Sequence, residues 1–109
     1  MWNVSKVEFK GVTLTLDRDG FLQEPEKWNK EVAEFLAREQ EGIKAMSESH
    51  WKVVNYLREY YLQYQIAPPI RMLCKRTGFT VQQIYELFPS GPAKGACKVA
   101  GLPKPTGCV

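Results

Sequence analysis

SESHWKVVNYLREYYLQYQIAPP, residues 47–69, is the stretch whose reading decides the fold. Trp51, Val54, Leu57, Tyr61 and Tyr64 recur three or four positions apart, the spacing that lines one face of an α-helix. Ser47 and Ser49 are candidate N-caps, and Pro68-Pro69 ends the run because the residue before a proline is pushed out of the helical region. His50 falls in the first turn. A helix N-terminus disfavours imidazolium, so His50 reads as a neutral packing or hydrogen-bonding residue before a catalytic one.

Working outward, Pro25 suits a first helical turn, and Trp28, Val32, Phe35 and Leu36 follow at helical spacing up to Gly42; the expected helix spans about 25–40. Towards the N-terminus, Val7 and Phe9 alternate with polar residues, Lys10-Gly11 supplies a turn, and Val12, Leu14 and Leu16 alternate again before Asp17-Arg18-Asp19-Gly20. This predicts a β-hairpin within residues 1–20, which must lay its apolar face on the helices because two strands alone are marginal in water. Towards the C-terminus, Ile70, Leu73 and Cys74 share a face of a short helix closed by Gly78, and Thr80 caps a helix carrying Val81, Ile84, Tyr85 and Phe88. Helix, tight turn, helix, with Arg71, Lys75 and Arg76 on the first element, has the outline of a helix-turn-helix DNA reader. Val81 to Phe88 contains no Arg or Lys to reach base edges, so an ordinary αα-corner is the favoured reading. Pro89-Ser90-Gly91-Pro92 breaks the chain, Ala93 to Ala100 forms one more short helix, and residues 101–109 make a Pro/Gly-rich arm. The expected fold is mainly α: one domain over 1–100, with hairpin 1–20 and a helix-turn-helix-like body over 25–100, and a mobile C-terminal arm over 101–109.

A chain of 109 residues holds one core. With 44% hydrophobic and 12% aromatic residues it is globular rather than disordered. No apolar run reaches the roughly 18 residues of a membrane span, and the N-terminus lacks a signal-peptide apolar region, so the expected compartment is the cytoplasm. Residues 1–70 carry nine basic and eleven acidic side chains, whereas 71–109 carry six basic (Arg71, Lys75, Arg76, Lys94, Lys98, Lys104) and only Glu86. That asymmetry suits an anionic ligand, nucleic acid or an acidic partner, with a solvated basic face as the plain alternative. Three cysteines, Cys74, Cys97 and Cys108, exclude a disulfide scaffold. Together with His50, the only histidine, they form no C-x-x-C pair, so no metal site is expected.

Cys108, one residue from the end of the arm, sits where packing is not assured, and its position favours reactivity. Near the reference pKa of about 8.5 only a few per cent is thiolate at neutral pH, the Val109 carboxylate opposing the anion and Lys104 favouring it. Cys97, eleven positions earlier in the later half of the Ala93–Ala100 helix, is a better resolving than attacking thiol. A linker of this length gives an effective concentration on the order of mM, so Cys97 can capture sulfur chemistry begun at Cys108 when the arm folds back. Cys74 belongs to an apolar stripe and reads as core.

The C-terminal run LFPSGPAKGACKVAGLPKPTGCV, residues 87–109, closely resembles that of the DsrC family, and Asp19-Gly-Phe-Leu22, His50-Trp51, Leu57-Arg-Glu-Tyr-Tyr61 and Ala67-Pro-Pro-Ile-Arg71 match it further. The resemblance implies a small helical domain with an N-terminal hairpin and a mobile arm. It implies a sulfur carrier and co-substrate of dissimilatory sulfite reductase, not catalytic alone, whose Cys108 is brought between the catalytic alpha and beta subunits to their sirohaem site. Cys108 and Cys97 would together hold sulfite-derived sulfur as a trisulfide or persulfide, later reduced through a membrane-bound thiol-disulfide reductase complex. Sirohaem and iron-sulfur clusters are then expected in the partner enzyme, and no cofactor in this chain. Arg71, Lys98 and Lys104 are the candidate substrate- or partner-binding residues, with Lys75 and Lys94 adding to the basic field. The similar TusE proteins share the penultimate cysteine, lack the upstream one and relay persulfide sulfur toward tRNA thiolation, with sulfurtransferases as partners. The presence of Cys97 places this chain nearer the sulfite reductase branch. A DNA-binding regulator is the remaining alternative, and nucleic acid is not the favoured partner.

Overall fold

The computed structural model describes residues 4–103. Strands β1 (Val4–Phe9) and β2 (Val12–Asp17) pair antiparallel from Phe9↔Val12 to Val4↔Asp17. Their loop, Lys10 at φ 51° and Gly11 at φ 80°, has both central residues left-handed, which matches the twist of the flanking strands. Leu14 and Leu16 point inward and are buried while Thr13 and Thr15 alternate with them. Asp17 then closes the next turn, its Oδ1 accepting the Asp19 and Phe21 N–H groups. Leu22 bridges back to Leu16, and Phe21 and Leu22 are buried.

The helix expected over about 25–40 is two pieces. Pro25 opens only a 3-10 turn, Pro25–Lys27, and α1 spans Lys30–Glu41. Between them Trp28 is extended (φ −72°, ψ 137°), and Asn29 caps α1 by accepting the Val32 N–H at 2.8 Å. Asparagine satisfies an otherwise orphaned donor better as a cap than it serves a helix interior, so the break falls there.

Helix α2 (Glu48–Tyr64) is capped by Ser47. The Ser47 N–H donates to His50 Nδ1 at 3.0 Å, so the ring proton sits on Nε2 and is directed at the Leu87 carbonyl, 3.0 Å away. His50 thus ties the start of α2 to Leu87, and its ring meets Phe88 edge-on at 5.2 Å. The buried stripe of α2 is Val53, Val54 and Leu57; Trp51 and Tyr61 are half-buried, and Tyr64, expected in the core, is exposed. Helix α3 (Ile70–Thr77) ends at Gly78 and α4 (Val81–Leu87) starts at the Thr80 cap, with Gln83 completing a capping box. The mainly helical architecture with its N-terminal hairpin is as the sequence predicts. On α4, Val81, Gln82, Gln83, Tyr85 and Glu86 are exposed. No cation lies on that surface to approach a nucleic-acid base.

Beyond α4, a π-helical turn (Pro92–Ala96) runs into α5 (Cys97–Val99). The main core joins Phe21, Val54, Leu57, Leu73, Ile84, Phe88, Cys97, Val99 and Leu102, while a smaller cluster of Leu14, Leu16, Leu22, Val32 and Leu36 lies under the hairpin. Trp28 packs against both clusters.

Gly101, at φ 76°, lies directly under that indole: a Cβ there would come within 2.3 Å of Trp28 Cδ1, whereas at Gly11 (φ 80°) it would meet nothing within 4 Å. Gly11→Ala should therefore cost only the left-handed penalty, about 1–2 kcal/mol. Gly101→Ala should cost clearly more, because the ring must also move. Urea unfolding of the two variants measures the difference; equal losses would mean that the Trp28 contact contributes nothing.

Candidate functional site

The site is the root of the C-terminal arm. The Cys97 N–H donates to the Pro92 carbonyl, closing the π turn on Cys97. At the other end of α5, Gly101 turns left-handed, its N–H donates to the Lys98 carbonyl at 3.0 Å, and the Leu102 N–H returns to the Cys97 carbonyl at 3.1 Å. This pair of bonds, with apolar side chains at both ends, is a Schellman motif. Its two ends are Cys97 and Leu102.

Gly101 and Leu102 are consequently buried, and the body extends through Leu102, beyond the boundary expected at residue 100. Apolar Leu102 gains more from the core than the adjacent prolines can oppose. Pro103 is exposed. The six Cα steps from Leu102 to Cys108 span at most about 20–22 Å.

Two side chains from distant elements hold this root. Trp28 Nε1–H donates to the Val99 carbonyl at 2.9 Å, and Arg58 Nη1 donates to the Ala100 carbonyl at 2.7 Å. The Arg58 guanidinium stacks on the Trp28 ring, its Cζ 3.8 Å from the ring centroid. Burial lowers the Arg58 pKa. Neither residue was a candidate from sequence. The available signal was positional, since Arg58 lies four residues after Val54 and three before Tyr61, a cation on the apolar face of α2.

The Cys97 thiol is fully buried, and loss of solvation pushes its pKa up to about 12. It is therefore a protonated thiol, chemically quiet while covered. Cys74 is half-buried against the main core, as a packing residue is. Lys98, a candidate binding residue, is only 8% exposed, with its ammonium 5.4 Å from the Phe21 ring centroid. Its aliphatic stem is packing, which a helix position between Cys97 and Val99 imposes. Arg71 is exposed on α3. Cys108 and Lys104 lie outside the described residues. Among the described residues the ion pairs are Lys10–Glu31 and Lys27–Glu24, both towards the N-terminus. Arg71, Lys75, Arg76 and Lys94 thus stay exposed without a carboxylate partner among those residues. No three His, Cys, Asp or Glu side chains among the described residues converge to hold a metal, and no helix there is long and apolar enough to cross a membrane.

With this geometry in hand, comparison with known proteins is specific. A family model described as "DsrC like protein" matches residues 8–109. The chain is 50% identical over 106 residues to the protein named sulfite reductase, dissimilatory-type subunit gamma, of Nitratidesulfovibrio vulgaris, covering 97% of this chain and 100% of that one. It is 43% identical over 110 residues to sulfurtransferase TusE of Pectobacterium atrosepticum, covering 94% and 99%. The crystal structure of the oxidized gamma-subunit of the dissimilatory sulfite reductase from Archaeoglobus fulgidus superposes with a TM-score of 0.85 at 52% identity, covering 96% of this chain and 100% of that one. The hairpin, the helical body and the sequence through residue 109 are matched over nearly the whole length: the chain belongs to the DsrC family.

Proposed function

We propose that this protein is a sulfur carrier and co-substrate of dissimilatory sulfite reductase, accepting sulfite-derived sulfur on Cys108 and sharing it with Cys97. The observation that carries this reading is the Leu102 N–H to Cys97 carbonyl bond, which starts the arm beside the residue that must close on its tip. The greater identity to a sulfite reductase gamma subunit than to a TusE sulfurtransferase supports it, as does the presence of Cys97.

In this reading Cys108 is the attacking thiol and Cys97 resolves. A buried thiol with a pKa of about 12 is almost wholly protonated at neutral pH, so it cannot initiate exchange. Sulfite sulfur reaches the zero-valent state of a trisulfide by gaining electrons from both sides. The catalytic subunits supply one pair, and the two thiols supply the other as their sulfurs join the new atom; the sulfite oxygens leave as water. The sirohaem and iron-sulfur chemistry belongs to the partner. Four electrons and four protons delivered through an external thiol-disulfide reductase then break both S–S bonds, release the central sulfur as hydrogen sulfide and restore the two thiols. The unpaired Arg71, Lys75, Arg76 and Lys94 favour an acidic partner surface.

Turnover with the catalytic subunits, sulfite and reductant, followed by non-reducing peptide mapping, tests the assignment. Cys108→Ala should take up no sulfur, and Cys97→Ala should carry it on Cys108 alone without an internal trisulfide. Loading of Cys108→Ala at the wild-type rate would remove that residue from the mechanism.

The arm boundary gives a second test. Deletion of residues 103–109 should leave the unfolding midpoint nearly unchanged yet weaken capture of the catalytic subunits. Deletion of 101–109 should in addition lose about 1.5–3 kcal/mol with the buried Leu102 side chain. Equal capture by the shorter deletion would place the interface on the body.

The raised Cys97 pKa also makes stability depend on pH. The folded thiol keeps its proton, while the unfolded chain releases it above its ordinary value near 9. The stabilisation is therefore present below about pH 9 and is lost as pH rises towards 12, on the order of 1 kcal/mol having gone by pH 10. Urea unfolding should show the wild type losing that much relative to Cys97→Ala between pH 8 and 10, and parallel curves would refute the buried neutral thiol.

A further inference from the structure

Glu41, the last residue of α1, continues the face of Ala33 and Ala37 into the core and is 9% exposed. Its Oε1 accepts the Ser90 N–H at 3.0 Å, and its buried Oε2 has no hydrogen-bond partner. The carboxylate lies against the π turn, since a Cβ on Gly95 would fall 2.6 Å from Oε1.

The segment from Leu87 to Ala100 is held at both ends by side chains, at Leu87 by His50 and at Val99 and Ala100 by Trp28 and Arg58. Between those anchors the Glu41–Ser90 bond is the only side-chain hydrogen bond to this segment among the described residues. A buried carboxylate with one oxygen unsatisfied is costly to keep in place, and a π turn is an irregular, locally weaker stretch of helix. Both features fall on the turn that closes on Cys97.

We propose that Glu41 is a positioning residue that latches the Ser90–Ala96 turn and so sets how often Cys97 becomes accessible. Its functional meaning rests on the reading of Cys97 as the resolving thiol, but accessibility can be measured without any sulfur chemistry, so the two readings fail separately. When the latch releases, the π turn opens, the Cys97 N–H parts from the Pro92 carbonyl and the thiol meets solvent. The anchors at Leu87 and at Val99 and Ala100 stay closed.

The reduced full-length chain is pulsed with iodoacetamide, and labelling of Cys97 and Cys74 is read separately by peptide mass. Glu41→Ala removes the bond, and Gly95→Ala displaces the carboxylate from the opposite side at a helical position. Each should speed Cys97 labelling about tenfold, the loss of one buried charged hydrogen bond, with Cys74 unchanged. Glu41→Gln keeps an acceptor for Ser90 and should stay within about twofold of the wild type. Wild-type labelling of Cys97 in both disrupting variants, equal acceleration of Cys74, or Glu41→Gln behaving as Glu41→Ala would each overturn the latch. Should Glu41→Ala fail to fold, hydrogen exchange on the wild type decides. The Ala93–Cys97 amides should exchange faster than those of Val53–Leu57, and equal protection would overturn the proposal.

Discussion

The stacking of Arg58 on Trp28 is the interaction on which the rest of the molecule depends. Trp28 belongs to both hydrophobic clusters, so it joins the hairpin layer to the helical core. Its indole N–H and the Arg58 guanidinium take the Val99 and Ala100 carbonyls, which a helix end leaves without partners. A partly buried cation needs compensation. Here the aromatic face and a carbonyl provide it instead of a carboxylate, which leaves the guanidinium bound to the arm's root rather than to a side chain that could draw it away. Hairpin, long helix and arm root thus share one contact, and displacement of any of them is felt by the others.

Cys97 is placed in the most protected environment of the fold. Burial keeps Cys97 protonated and shielded from the oxidants that convert exposed thiolates to higher acids. A thiol held inside a core remains reduced through many encounters with small oxidants. In the proposed reading this separates closure, the role of Cys97, from capture, the role of Cys108.

Much of this was legible in the sequence because local signals and packing agree. The alternation through Leu14 and Leu16, the Lys10-Gly11 turn, the Ser47 and Thr80 caps and the Gly78 stop are each satisfied by neighbours within a few residues. Where they fail, a tertiary partner decides. Trp28 fits a helical stripe by spacing, but Asn29 caps better than it continues a helix, and the indole turns to the Val99 carbonyl, 71 residues away in sequence. Leu102 sits among prolines and glycines yet is buried, because the glycine before it turns the chain back towards Cys97. Glu41 and Arg58 show the same lesson from the polar side. Each occupies a position that helical geometry turns inward, Glu41 four residues after Ala37 and Arg58 four after Val54. An ionisable residue in such a place is the trace that a distant backbone group leaves in a sequence.

The Schellman motif at the arm's root has a consequence for which partners can be served. Leu102 is fixed to the body, so in the proposed reading Cys108 lies within six Cα steps, at most about 20–22 Å, of an anchored point. In that reading a reaction centre more than about 22 Å from Leu102 is out of the thiol's reach. For a sulfur carrier of this kind, depth would be a criterion of recognition in its own right, independent of charge or shape, measured from Leu102.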